Sequence, residues 1–196
     1  MSNNLLRASS QRSSVGKASP KLLLLAGAVI LVATVAGVYV MWSNENRDRA
    51  VCHSNALFTA MHLDEYLNRM TDEDAAQVQV GGDPPLIVVS RAYSSPAYFL
   101  VCPTDNRFSM KLKLEDLTED LISYRTWSWP ELMLLRKERW ADALILWEKR
   151  PNHRGKRQAC TRGASPRLVD ETAFQEMMAY TKGLLEESKA RAEDPE

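Results

Sequence analysis

The segment of this 196-residue sequence with the most evident chemistry is KRPNHRGKRQACTRGASPR, from Lys149 to Arg167. It carries seven Lys or Arg side chains and no Asp or Glu. Cations without counter-charges attract phosphate and carboxylate groups, with an affinity that falls as salt rises. The predicted anion-binding cations are Lys149, Arg150, Arg154, Lys156, Arg157, Arg162 and Arg167. A solvated loop without a ligand is the alternative, and basic runs are commonly of that kind.

Three cysteines, Cys52, Cys102 and Cys160, offer thiol or disulfide chemistry. An odd number allows at most one bridge within the chain and leaves one thiol over. A bridge between Cys102 and Cys160 would fix the long basic loop to a predicted strand, so it is the favoured pairing. Cys52 is then the free thiol, able to pair with its copy in a neighbouring molecule. The pairing of Cys52 with Cys102 stays open.

The sequence contains no recognisable metal-binding motif. Its histidines, His53, His62 and His153, are not spaced as H-x3-H, and the cysteines form no C-x2-C pair. His53 and His62 are nine positions apart, which does not place them on one face of a helix. We therefore predict neither a metal nor another cofactor.

Enzyme chemistry has one candidate group of acids. Four of them fall within two turns of a predicted helix, where they could supply a carboxylate pair for acid–base catalysis: Glu115, Asp116, Glu119 and Asp120. A solvated helix face is the more common role for such acids. The sequence has no G-x-S-x-G, phosphate-binding glycine loop or zinc-protease motif. We therefore assign no catalytic residue.

The element that must position these groups begins near the N-terminus. From Leu22 to Trp42 the sequence reads LLLLAGAVILVATVAGVYVMW, without a charge. As a helix, this segment is about 30 Å long, which matches the hydrocarbon core of a bilayer. Cleavage after Ala36 is conceivable, but the apolar run is longer than the core of a signal peptide. The segment therefore predicts an uncleaved signal-anchor helix.

The distribution of charge predicts its orientation. Residues 1–21 contain four bases and no acid, so they carry +4; because 25 bases and 25 acids balance over the chain, the remainder carries −4. The positive-inside rule then places residues 1–21 in the cytoplasm and the domain at 43–196 outside it. That compartment allows disulfides. The small residues of the anchor and the lack of an N-x-S/T sequon favour a bacterial inner membrane with the domain in the periplasm.

The pattern of residues 43–196 predicts an α+β domain. A helical stripe, Ala56, Ala60, Leu63, Leu67 and Met70, extends the membrane helix to about residue 70. About three antiparallel strands follow, at 86–93, 97–102 and 108–114. Helices at about 115–124, 130–149 and from Asp170 onward would cover the small sheet. Ser128 and Glu131 form a capping-box pattern for the second of these helices.

These features favour a non-enzymatic, single-pass inner-membrane protein. Its periplasmic domain would serve assembly or protein interaction in an envelope complex of the secretion or conjugation type. The expected partners are membrane lipid, other envelope proteins and a second copy of this chain. Cytoplasmic nucleic acid is excluded because the basic loop would lie outside the cell interior. The alternatives are a membrane-tethered enzyme that acts on an envelope polymer and a periplasmic ligand sensor or inhibitor.

Overall fold

The structure is a computed structural model that describes residues 20–105, 113–138, 140–163 and 165–193. The chain divides into two units, residues 1–43 and residues 44–196. The architecture is α+β, as predicted, with a long apolar helix at the N-terminus followed by a four-stranded antiparallel sheet and helices.

The first unit contributes the beginning of helix α1, Pro20–Arg69. Proline fits the first turn of a helix because its missing N–H would have no partner there. From residue 28 to residue 43 every side chain is exposed, although most are apolar. A helix that is apolar on all sides is typical of a membrane span. Of the described residues, α1 provides the one helix that is long and apolar enough to cross a bilayer.

The second unit begins with the remainder of α1, which buries one stripe of side chains. The stripe predicted from sequence is confirmed: its members are exposed by 6% or less, and they are Ala56, Ala60, Leu63, Leu67 and Met70. Two polar residues beside the stripe are buried as well. The Asn55 amide donates to the carbonyl oxygens of Tyr98 and Val101, and the Thr59 hydroxyl donates to that of Phe99. These bonds join α1 to the 3₁₀ helix Ala97–Leu100.

Four short strands form the antiparallel sheet in the order β1-β2-β3-β4. They are β1 Tyr124–Arg125, β2 Leu144–Glu148, β3 Arg157–Thr161 and β4 Arg167–Val169. The predicted basic loop therefore contains the turn between β2 and β3, the whole of β3 and the connection to β4. A structureless loop is the wrong description of this segment.

The described part of the second unit has four other α-helices. They are α2 Asp72–Gly81, α3 Pro85–Ala92, α4 Trp129–Glu138 and α5 Glu171–Glu193, of which α5 contacts β2 and β3. Two further 3₁₀ helices lie at Leu114–Asp116 and Glu119–Leu121. One of the two bonds of the capping box predicted for α4 is observed: the Ser128 amide donates to Glu131 Oε2 at 3.0 Å, and the Ser128 hydroxyl donates to the same carboxylate oxygen. Asp170 caps α5, since its Oδ1 accepts from the Ala173 amide.

Two of the three predicted strand positions are wrong, although the class of fold is right. Residues 86–92 belong to helix α3, and residues 97–100 form a 3₁₀ helix. The third predicted strand, 108–114, falls mostly outside the described residues. Pro84 and Pro85 explain the first error, because proline at a helix start favours a helix over a central strand. Burial at 86, 87, 89 and 90 then follows a helical face rather than alternation.

The predicted helix from 130 to about 149 is also wrong in its second half. Helix α4 ends at Glu138, and β2 runs from Leu144 to Glu148. Every residue of β2 is buried, so its sequence shows no alternation of apolar and polar side chains. A short, continuous apolar run cannot be distinguished from a buried helix by periodicity.

Three of the five tryptophans lie in the core. Trp127, Trp129 and Trp147 are each exposed by 8% or less. The rings of Trp127 and Trp147 meet edge to face with centroids 5.2 Å apart. The Trp127 indole N–H donates to the carbonyl oxygen of Leu144, which satisfies its polar atom within the core.

Candidate functional site

Four side chains with redox or metal-ligand chemistry meet inside the second unit. They are Cys52, Cys102, Glu148 and His153, and their sulfur, carboxylate and imidazole atoms lie within 4.8 Å of one another. All four are buried, with His153 exposed by 2% and the other three by 0%. We call this group the buried Cys-Glu-His cluster.

Three separate parts of the chain bring these residues together. Cys52 lies on the buried face of α1, and Cys102 follows the 3₁₀ helix Ala97–Leu100. Glu148 ends β2, and His153 lies in the turn before β3.

The turn at His153 has a defined geometry. The backbones of His153 and Lys156 exchange two hydrogen bonds of 3.0 Å. Between them Arg154 and Gly155 have φ angles of +52° and +79°. Positive φ at both central residues is the pattern of a type I′ turn, for which glycine is favoured. The local sequence thus fixes a tight connection that holds the imidazole in the cluster.

A disulfide joins Cys52 to Cys102, with Cα atoms 5.1 Å apart. The pairing favoured from sequence, Cys102 with Cys160, is therefore wrong, and so is the assignment of Cys52 as the free thiol. Cys160 is the free cysteine, and it is buried on β3 opposite Leu146. Its thiol donates to the Ala56 carbonyl oxygen at 3.8 Å, so it faces α1 at a point one turn beyond Cys52.

The Cys160 thiol is buried and protonated at neutral pH. Burial raises its pKa to about 12, and the nearby charge of Glu148 contributes in the same direction. Because the thiolate is the nucleophile and metal-binding form of cysteine, Cys160 cannot serve as either in the folded chain.

Glu148 and His153 form a buried pair beside the disulfide. The His153 Nε2 atom lies 3.2 Å from Glu148 Oε1 and 3.6 Å from Cys102 Sγ. The second carboxylate oxygen, Oε2, accepts from the backbone amide of Gln158 at 2.9 Å. Both carboxylate oxygens of Glu148 therefore have partners in the interior, as a buried acid requires.

Neighbouring polar groups hold the cysteine segments in place. The Tyr124 hydroxyl donates to the Cys52 carbonyl oxygen at 3.0 Å. Burial raises the pKa of Tyr124 well above its ordinary value, with the charge of Glu148 adding to the effect. The Cys102 amide donates to Ser123 Oγ, which in turn donates to Asp105 Oδ2. The Thr104 hydroxyl lies 2.9 Å from Cys102 Sγ.

The seven cations of the predicted anion-binding loop do not converge on one described site. Arg157 is buried, pairs with Glu171 and lies 4.1 Å from the centroid of the Phe174 ring. Hydrogen bonds from Gln175 and then from Arg157 lower the pKa of Glu171. These contacts of the Arg157 guanidinium connect β3 to α5.

Other cations of this segment also have partners within the second unit. Arg162 donates to Asp64 Oδ1 and to the Leu135 carbonyl oxygen, at 2.7 and 2.6 Å. Arg154 pairs with Glu45, and the Lys149 ammonium donates to the Glu119 carbonyl oxygen. The exposed cations are at positions 150, 156 and 167, besides Arg154. Anion binding by this surface stays a prediction.

The acids considered for catalysis are exposed. Glu115 and Asp116 lie in one 3₁₀ helix, whereas Glu119 and Asp120 lie in the next. Lys113 lies 3.5 Å from Glu115. These four carboxylates therefore lie in solvent, as ordinary surface side chains do.

A shallow groove of about 420 Å³ lies between the starts of α3 and α4. Its lining includes Asp83, Arg125, Trp127 and Trp129. The Trp129 indole donates to the Asp83 carbonyl oxygen at 3.1 Å, and the Asp83 side chain pairs with Arg91. The groove thus combines aromatic walls with a few polar groups, as ligand pockets commonly do.

Comparison of the chain with protein-family models, with curated proteins and with solved structures gives no significant match.

Proposed function

We propose that this protein is a single-pass membrane protein of a bacterial envelope whose periplasmic domain takes part in assembling a larger complex. The observation that carries the proposal is the Cys52–Cys102 disulfide, whose first cysteine follows the apolar segment by ten residues in the sequence. Disulfides persist in oxidising compartments and are rare in the cytosol. The disulfide and the positive N-terminal tail thus favour the same orientation, by independent physical arguments.

An exposed apolar surface of the second unit supports interaction as its role. Outside residues 29–42, the exposed large apolar side chains among the described residues are Val51, Phe58, Met61, Tyr98 and Tyr180. The first three lie at i, i+7 and i+10 on α1, and therefore on one face of the helix. Phe99 joins this face to Tyr98, since its ring contacts those of Phe58 and Tyr98 at 5.3 and 4.7 Å. We call Val51, Phe58, Met61, Tyr98 and Phe99 the aromatic patch.

Aromatic and methionine side chains are enriched in the centres of protein interfaces. An apolar surface so near the membrane segment in sequence suits another envelope protein anchored in the same membrane. Lipid contact is provided by residues 28–42, which carry no charge and are exposed throughout.

Site-specific photo-crosslinking in native membranes tests the interaction. A photoreactive aromatic residue at Tyr98 should give adducts with a neighbouring envelope protein. The same residue at Tyr180, which is similarly exposed but lies on α5, serves as the matched control and should give fewer adducts. Equal yields at both positions, or none at either, would count against the aromatic patch as an interface.

Reporter fusions test the orientation separately. A periplasm-dependent phosphatase fused to the C-terminus should be active, and a fluorescent protein that folds only in the cytoplasm should be dark. The opposite result would place the domain in the cytoplasm. An oxidising compartment would then no longer explain why the disulfide persists.

The groove at α3 and α4 favours a second candidate, a periplasmic ligand sensor. Trp127 and Trp129 supply aromatic walls and Arg125 a cation, which suits a small anionic ligand. Thermal unfolding with fractions of envelope extract would detect such a ligand by a rise in melting temperature. Arg125→Ala should remove the rise, and a shift that survives this substitution would exclude the groove.

A further inference from the structure

We propose that the buried Cys-Glu-His cluster becomes a Zn²⁺ site when the Cys52–Cys102 disulfide is reduced. The ligands would be the thiolates of Cys52 and Cys102, the Nε2 atom of His153 and the carboxylate of Glu148. The cluster exists in whichever compartment the domain occupies, so the proposal is independent of the proposed function.

The donor set suits zinc by its chemistry. Thiolate, imidazole and carboxylate are the protein ligands of Zn²⁺, and four of them complete a tetrahedral structural site. A hard cation such as Mg²⁺ or Ca²⁺ prefers oxygen ligands and would be poorly served by two sulfurs. The two thiolates balance the +2 charge of the ion, and the Glu148 carboxylate brings the complex to a net charge of −1, far less than the isolated anions would carry in an interior that excludes water.

The distances among the donors suit zinc as well. Bonds of about 2.0–2.3 Å around a tetrahedral Zn²⁺ place neighbouring ligand atoms about 3.3–3.8 Å apart. The observed separations of 3.6 Å, from Cys102 Sγ to His153 Nε2, and 3.2 Å, from His153 Nε2 to Glu148 Oε1, are close to this range. The main rearrangement is therefore rotation of the two cysteine side chains, which moves the sulfurs from bonding distance to about 3.7 Å.

Hydrogen bonds around the cluster would orient the ligands. Glu148 Oε2 already accepts from the Gln158 amide, which leaves Oε1 directed at His153. The Thr104 hydroxyl can donate to the Cys102 thiolate from its distance of 2.9 Å. Partners of this kind fix ligand geometry and raise metal affinity in known sites.

The site would be structural rather than catalytic. All four ligands are buried, whereas a catalytic zinc keeps one coordination position open to water or substrate. Zinc would replace a two-point connection by a four-point one, because it would join α1 and the Cys102 segment to the β2–β3 hairpin.

A dithiol can supply the two electrons and two protons that reduction of the Cys52–Cys102 disulfide requires. Its two sulfurs form a new disulfide, the S–S bond between Cys52 and Cys102 breaks, and each cysteine gains one proton and one electron. When Zn²⁺ binds, both cysteine thiols ionise and two protons leave to solvent. The disulfide and the metal site therefore exclude each other.

The test uses the full chain in detergent, either oxidised or reduced with a water-soluble phosphine that binds zinc weakly. Each form is mixed with ZnCl₂ and desalted, and bound zinc is measured per chain. We expect one zinc per reduced chain and none per oxidised chain. A reduced, folded chain without bound zinc, or equal binding by both forms, would overturn the proposal.

Variants separate this site from incidental binding by thiols. His153→Ala and Glu148→Gln should each weaken zinc binding by at least about tenfold. They should also alter the visible absorption bands of the Co²⁺ complex. The matched control is Cys160→Ala, which removes a buried thiol outside the cluster and should leave zinc and Co²⁺ binding unchanged. Unchanged binding in His153→Ala, or loss in Cys160→Ala, would contradict the assignment.

Folding of each variant is checked in its oxidised form, in which the disulfide is intact. A variant that does not unfold cooperatively is replaced by a milder one, His153→Gln, which removes the imidazole, and the same comparison is made. A spectrum identical to that of the unsubstituted chain in His153→Gln would also overturn the proposal.

Discussion

Helix α1 contains two apolar regions that the protein uses in opposite ways. Between residues 28 and 42 no side chain is buried, and Val32 is 68% exposed. Between residues 52 and 70 a narrow stripe is buried, and Leu63 is 0% exposed. The helical backbone is common to both regions, so the difference lies in what covers the side chains.

The number of covered faces on each region of α1 indicates the surroundings that the region requires. The 52–70 region is buried on one face, because its own domain covers only that face. The 28–42 region is apolar on all faces, and no described residue covers it. Exposed apolar area on this scale is unfavourable in water at about 25 cal/mol per Å², and the helix that carries it is long and apolar enough to cross a bilayer.

The largest expected effect comes from the disulfide that links the covered region of α1 to Cys102. Removing both sulfurs with Cys52→Ala and Cys102→Ala should lower the free energy of unfolding by about 4 kcal/mol, given a separation of 50 residues. Urea unfolding of the oxidised chains in detergent measures the loss. Membrane retention should not change, because the 28–42 region contains neither cysteine. A loss below about 1 kcal/mol would mean that the disulfide is not a main support of the domain.

The next effect contrasts the two regions directly. Leu63→Ala creates a cavity in the core and should cost about 3.5 kcal/mol of unfolding free energy. Val32→Ala, in the exposed region, should change the same quantity by less than about 0.5 kcal/mol. Parallel denaturation curves of the two variants test the contrast. Similar losses in both would show that the 28–42 region is packed against protein.

A charge in each region tests the assignment of the bilayer. Val35→Arg should make membrane insertion less favourable by about 3 kcal/mol, the scale for arginine near the centre of a span. Ser54→Arg adds the same charge at an exposed position of the second unit and should have no effect on insertion. The fraction that resists alkaline carbonate extraction reports insertion. Equal extraction of both variants would argue against a membrane span at 28–42.

The smallest effect at neutral pH concerns Cys160, which packs against the covered region at Ala56. Its folded pKa of about 12 exceeds the ordinary value of 9.0, so the folded state favours the protonated thiol. The resulting stability is complete below about pH 9 and is lost as the pH rises toward 12, by up to about 1.4 kcal/mol per pH unit.

Unfolding free energies between pH 8 and pH 11 test this dependence. The unsubstituted chain should lose stability more steeply than Cys160→Ala, because alanine has no thiol that ionises on unfolding. A thiol reagent at pH 8 should also modify Cys160 only after unfolding. Parallel pH profiles, or rapid modification of the folded chain, would contradict the burial of this thiol.

The pairing of Cys52 with Cys102 and the members of the buried Cys-Glu-His cluster could not be predicted from the sequence. Cys102 lies 50 positions from Cys52 and 51 from His153, and no motif spans such distances. Glu148 ends an apolar run, which could have indicated a buried acid in need of a partner. A buried acid in the sequence does not show that His153 is its partner. His153 reaches Glu148 through a type I′ turn, and that turn can be recognised only when the segments on both sides are known to be strands of a hairpin.

Local chemistry let the sequence alone determine the apolar helix, the buried stripe from Ala56 to Met70, the caps of α4 and α5 and the α+β class. Each depends on residues within a few turns of one another, through periodicity or a hydrogen bond at a helix end. Tertiary structure alone decided which cysteines pair, that residues 144–148 form a strand and that the cations of the basic segment have separate partners. The reason is that these outcomes depend on which distant surfaces bury each other, and a continuous apolar run or a cysteine carries no local mark of its eventual neighbour.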